Sequence, residues 1–151
     1  MKNLAKIAMG LMLLMMPMTL IAQTASEARK TLKAYCDEKN EDCPIKDGDD
    51  DAYYVLFGFE DDQMNIVYGV GTEPFAMLKQ NKKALLKAVN DELKTNEELL
   101  GMVIYLTACN GTLAFIICDY NGDIEDENNR LLVGFEAKDL KELVRQVKEG
   151  E

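Results

Sequence analysis

The sequence predicts an α+β domain in which an antiparallel sheet of about five strands carries three helices, in the order α-ββ-α-ββ-β-α. Three observations support this. Apolar residues recur at helical spacing near both ends of the domain. Aromatic and β-branched runs flank a polar turn between residues 53 and 70. Asn110-Gly111, the strongest short hairpin signal, sits in the middle of the most apolar stretch beyond residue 23.

The domain is read from residue 23. Residues 1–22 place Lys2 and Lys6 ahead of an apolar run over 7–22 that ends in Leu20-Ile21-Ala22, the three-part form of a secretory signal peptide. That run is shorter than the roughly 20 apolar residues a membrane helix needs and contains Pro17. The expected organisation is therefore a signal at 1–22 and one exported α+β domain at 23–151, periplasmic or extracellular, with no membrane span once the signal is removed.

The first helix places Ala25, Ala28, Leu32, Tyr35 and Cys36 on one face. Acidic residues crowd 37–51 around Pro44 and Gly48, which reads as an exposed loop. Two strands follow, 53–59 and 64–70, with Tyr53, Val55, Phe57, Phe59 and Met64, Ile66, Tyr68, Val70 as the expected inward faces. Thr72-Glu73-Pro74 opens a second helix. Its apolar stripe of Phe75, Leu78, Leu85, Leu86, Val89 and Leu93 is interrupted by Lys82, which implies either a break near Asn81 or a snorkelling lysine.

For 101–120 the preferred reading is a hairpin turning at Asn110-Gly111, with Met102, Ile104, Leu106, Ala108, Leu113, Phe115 and Ile117 on one face. The competing reading is a helix over 97–109, capped by Asn96 and ended at Gly111. A short strand at 131–135 and a helix at 137–148, with Leu140, Leu143, Val144 and Val147 on its apolar face, complete the chain.

Charge and composition narrow the function. The chain of 151 residues has 17 Lys+Arg, 27 Asp+Glu and no His. Loss of the signal removes two basic residues and no acid, leaving −12 over 23–151. Such a chain cannot neutralise many phosphates, so a nucleic-acid partner is not expected. Without His, and with Ser26 as the only serine, triad chemistry is absent.

Four cysteines remain in an exported chain, which permits disulfides. A local Cys36–Cys43 bridge is sterically plausible if the first helix ends at Cys36, and the alternatives tie these cysteines to Cys109 or Cys118 or leave all four as thiols. Asp119, Asn121, Asp123, Glu125 and Glu127 occupy alternate positions, as in an EF-hand calcium loop. However, Ile124 stands where that loop needs Gly, and Arg130 where it needs a bidentate Glu. Calcium is the one candidate cofactor, and otherwise none is expected.

The leading expectation is a small exported domain that binds an unknown protein or small ligand without catalysis. A carboxylate-dependent extracytoplasmic hydrolase and a calcium-dependent binding module are the alternatives. An exposed apolar patch would favour binding, and a deep acid-lined pocket would favour the enzyme.

Overall fold

The structure is a computed structural model and describes residues 25–48 and 51–150. The signal expected at 1–22 lies outside the described residues.

Helix α1 (Ala25–Asp42) buries Ala28, Leu32, Tyr35 and Cys36, the face expected from spacing. It runs a further six residues beyond Cys36, so the first acids of the expected loop belong to the helix. Asn40, in this extension, explains what the continuation does. Its side-chain amide donates to Phe57 O at 2.7 Å, and its oxygen accepts from Phe57 N at 2.8 Å. In this way it pairs a stretch of strand β2 (Ala52–Glu60) that the two-residue edge strand β1 (Ile45–Lys46) does not reach. A buried backbone group needs such a partner.

Strands β2 and β3 (Gln63–Val70) form the expected hairpin. Asp61 and Asp62 both hold positive φ, 51° and 62°, the conformation of a type I′ turn. A register shift between Tyr54 and Leu56 corrects the expected inward face. Ahead of the bulge, Ala52 and Tyr54 are buried, where Tyr53 and Val55 were expected; beyond it, Phe57 resumes the predicted side. A bulge inserts one residue and so exchanges the faces on its two sides.

The second predicted helix is two. Helix α2 (Thr72–Gln80) ends at Asn81, whose side chain caps helix α3 (Lys82–Thr95) by accepting from Ala84 N at 3.1 Å. The break turns Lys82 to solvent.

The hairpin predicted for 101–120 is not formed. Residues Glu97–Ala108 are helix α4, and only Thr112–Asp119 is a strand, β4. Asn96 caps α4 by accepting from Glu98 N and Leu99 N, and Glu97 and Glu98 favour its positive N-terminal end. Asn110 does adopt positive φ, 55°, but as the residue that ends a helix. Gly111 N donates to Leu106 O at 2.8 Å and Asn110 N to Thr107 O at 3.3 Å, the paired bonds of a Schellman motif. Asn-Gly supplies the same left-handed backbone to either structure. Periodicity could not separate them because every residue from Leu99 to Leu106 is buried, and a helix enclosed on all sides has no polar stripe.

This correction sets the topology. The sheet order is β1-β2-β3-β4-β5, and β3 pairs with β4 in parallel while the other pairs are antiparallel. The sheet is therefore mixed, because a parallel neighbour requires a crossover, here the three helices α2 to α4. Strand β5 (Leu131–Phe135) and helix α5 (Ala137–Glu149) close the chain, with a single 3-10 turn at Glu127–Asn129 before β5. Among the described residues there are five helices where three were expected.

One core joins the helices to one face of the sheet. It contains Met64, Ile66, Leu113, Phe115, Ile117 and Val133 from the strands, with Leu32, Leu93, Leu106 and Leu140 from α1, α3, α4 and α5. At the turn from α4 into β4 the chain passes close to the β2–β3 hairpin. Thr112 N donates to Asp62 O at 2.9 Å, and a Cβ on Gly111 would lie 2.7 Å from that same carbonyl. Gly111→Ala therefore has to displace backbone. It should destabilise the domain by about 2 kcal/mol in urea unfolding, and a loss within experimental error would contradict this packing.

Candidate functional site: the open face of the sheet

The face of the sheet turned away from the helices has its own order. Leu56 pairs with Val67, Val67 with Ile116, and Ile116 with Leu132. These four apolar side chains form a row across four strands, about 14 Å long at the usual strand spacing. Leu56 is 50% and Leu132 68% exposed, and none of the four belongs to the core cluster. The neighbouring row is Gly58, Asn65, Ala114 and Gly134, and a Cβ on Gly58 or Gly134 would meet nothing within 4 Å. An apolar ridge thus runs beside a shallow trough of small residues.

The loop between β4 and β5 walls the ridge on its other side. Asn129 holds this loop: its oxygen accepts from Asp119 N, and its amide donates to Asp119 O and Asp123 O, all at 3.0 Å. Arg130 donates to the carbonyls of Ile124 and Glu125. Ile124, 44% exposed, stands with Val55, Leu56, Val67, Ile116 and Cys118 around a depression of about 220 Å³ that Glu125 and Arg130 rim. This is below the size of most small-molecule sites, but it suits a single apolar side chain from a partner.

The residues singled out for calcium lie in this loop without forming a cluster. Asp119 Oδ1 accepts from Asn121 N and Asp123 Oδ1 from Glu125 N, each at 2.9 Å. Asn121 donates to Thr72 Oγ1 at 3.2 Å, and Glu125 and Glu127 are exposed. Among the described residues no three acidic or thiol side chains form a group that could hold a metal ion. Ile124, the residue that spoils the calcium pattern, is the one that faces the ridge. An isolated apolar residue inside an acidic loop was the available signal for it.

The expected Cys36–Cys43 bridge is not formed, and none of the four cysteines is in a disulfide. The continuation of α1 to Asp42 explains this, since six further residues of helix carry the chain about 9 Å along the axis from Cys36 before Cys43 is reached, beyond disulfide reach. Cys36 instead donates to Met64 Sδ at 3.3 Å in the core. Cys109 and Cys118 are also buried, on opposite sides of the α4–β4 reversal.

A second depression, of about 310 Å³, lies between α1, β1 and the start of α4. Lys39 Nζ and Glu98 Oε1 pair across it at 2.7 Å with little exposure, and the ammonium lies 5.8 Å from the ring centres of both Tyr35 and Phe57. Tyr54 donates to Glu92 Oε1 at 2.6 Å at its edge. Sequence reading found neither partner of the Lys39–Glu98 pair, because the ends of α1 and α4 meet only through tertiary structure. The pair is a bound charge couple with aromatic walls, and it ties the two helices together.

No family model and no curated protein matches the chain. Among solved structures it is similar to a "putative secreted protein" of Pseudomonas aeruginosa, with 16% sequence identity and a TM-score of 0.57, over 78% of this chain and 96% of that one. The two share a fold. At that identity the likeness concerns architecture, and it covers nearly the whole of the other chain.

The buried thiols and phenols give the domain a defined pH limit. Burial first, and Asp37 second, push the Cys36 thiol up from about 9 to about 12. Burial likewise raises the Tyr35 and Tyr54 hydroxyls, with further contributions from Glu98 and Glu92. In the unfolded chain these groups lose their protons at lower pH than in the native state. Above about pH 9 the unfolded state therefore binds fewer protons, and stability falls as pH rises. The urea midpoint should be level from about pH 7 to 8 and drop steadily to about pH 10.5; a level midpoint throughout would contradict the burial of these groups.

Proposed function

We propose that this chain is an exported, non-catalytic interaction domain that engages a partner through the open face of its sheet. The observation that carries the reading is the aligned row Leu56–Val67–Ile116–Leu132, with Ile124 above it. Contiguous exposed apolar surface of this kind marks interaction sites. Covering Leu56 and Leu132 is worth about 1–2 kcal/mol each on area alone, the scale of residues that dominate interfaces. The ridge and trough suit the apolar face of a partner helix or strand, with Glu125 and Arg130 as polar rim.

Export is supported by the signal pattern at 1–22, and the similar Pseudomonas aeruginosa protein is described as putatively secreted. Among the described residues no helix is long and apolar enough to cross a membrane. The non-catalytic reading draws on the absence of His from the chain and on the position of Ser26, exposed in the first turn of α1. For the hydrolase alternative, the carboxylate best placed in a depression is Glu98, and Lys39 already occupies it.

The test is retention from envelope or culture-fluid extract on the immobilised wild-type protein and on Leu56→Asp and Leu132→Asp. Both substitutions sit on exposed positions and should shift unfolding by no more than about 0.5 kcal/mol. A protein retained by the wild type should be lost at least tenfold with either variant. Equal retention by all three would remove the open face from the interaction.

A further inference from the structure

We propose that two copies of this chain pair edge to edge through β5, as antiparallel strands related by a two-fold axis at Val133, so that their sheets join into one.

The two edges of the sheet differ in how they are protected. At one end β1 is only two residues long and carries Lys46, and the Asn40 amide occupies the backbone of Phe57 beside it. Short strands, lysines and covering groups are the means by which natural sheets block an edge. At the other end β5 reads Leu-Leu-Val-Gly-Phe over 131–135, with no charge, proline or bulge. Among the described residues no backbone hydrogen bond outside its ladder with β4 involves this strand. A five-residue apolar edge left in this state is a template for another strand.

The sequence around that edge suits a second copy of the same strand. With Val133 opposite its own copy, Leu132 faces Gly134 of the partner subunit, Leu131 faces Phe135 of the partner subunit, and Arg130 faces Glu136 of the partner subunit. Every apolar residue meets an apolar residue or glycine, and both ends carry opposite charges, which contribute as cross-strand pairs. The hydrogen bonds Arg130 makes are to neutral carbonyls, and Glu136, whose side chain caps α5 and lies 4.0 Å from Lys138 Nζ at an exposed position, has a carboxylate that can take a second cation. Space is also suited, since nothing lies within 4 Å of a Cβ at Gly134 where the 68%-exposed Leu132 of the other copy would lie. Sliding the strands by two residues either way breaks both charge pairs, and a slip of one would put the helical layers on opposite faces. An isologous contact of this kind closes at two copies.

Net charge opposes association, because each copy carries −12 over residues 23–151. At physiological ionic strength such repulsion is screened beyond about 8 Å, whereas the strand contact is direct. The pairing uses Leu132 and Arg130 at one end of the ridge but not Leu56, Val67 or Ile116, so Leu56→Asp, which should lose the retained partner and leave the dimer intact, separates its failure from that of the proposed function.

Two measurements on the purified exported protein test it. Sedimentation at physiological ionic strength, from low to several hundred micromolar protein, should show a monomer–dimer equilibrium. Mild oxidation of a mixture of Leu132→Cys and Gly134→Cys chains should give a covalent dimer several-fold more abundant than either variant gives alone, because those positions face each other across the axis. Monomer at every concentration, or cross-linking of Leu132→Cys alone as efficient as the mixture, would overturn the proposal.

Discussion

The structure depends on the reversal at Asn110-Gly111, where a helix buried on every side turns directly into β4, an interior strand of the sheet. Eight consecutive buried residues in α4 supply apolar surface in all directions, and the domain is arranged to use it. The inner face of the sheet lies against the helical layer, and α1, α3 and α5 pack around α4. The reversal is held by the two bonds that end the helix and by Thr112 N reaching the Asp62 carbonyl. That carbonyl belongs to the β2–β3 turn, whose Asp62 side chain also pairs with Arg29 of α1 at 2.8 Å. One point thus joins the first helix, the β2–β3 hairpin, α4 and β4.

Placing α2, α3 and α4 between β3 and β4 makes those strands parallel and puts the helical layer on one face. The other face is left to a single loop, which covers Cys118 and stands beside the row but leaves Leu56 and Leu132 half or more exposed. The apolar row is therefore a consequence of topology. A chain that followed β3 with a hairpin would have kept its helices short and few, and would not have concentrated its cover on one side.

Much of this was legible in the residues. The faces of α1 and α5, the β2–β3 hairpin with its acidic turn, the strand at 131–135 and the break at Asn81 all follow from local spacing or from one misplaced lysine. The failures share a physical cause. Asn-Gly serves a helix end as well as a hairpin, and the competing helix capped by Asn96 is the one that forms; spacing could not choose it because α4 is enclosed on every side. Asn40 looked like part of an acidic loop because its role is to bond a strand seventeen residues away. The bulge at Tyr54–Leu56 has no residue signature; it turns Tyr54 inward and Val55 outward, while Leu56 keeps the outer face and pairs with Val67. The candidate site was therefore hidden: its four residues lie in four strands, and only the observed register brings them into line.

Carbene footprinting of the native protein, read residue by residue, tests the one-sided sheet most directly. Leu56, Ile124 and Leu132 should label strongly, with Leu99 to Leu106 protected to the level of the unlabelled core. Labelling of the α4 residues comparable to that of Leu132, or protection of Leu56 and Leu132 equal to that of Ile66 and Phe115 in a dilute monomer, would contradict it.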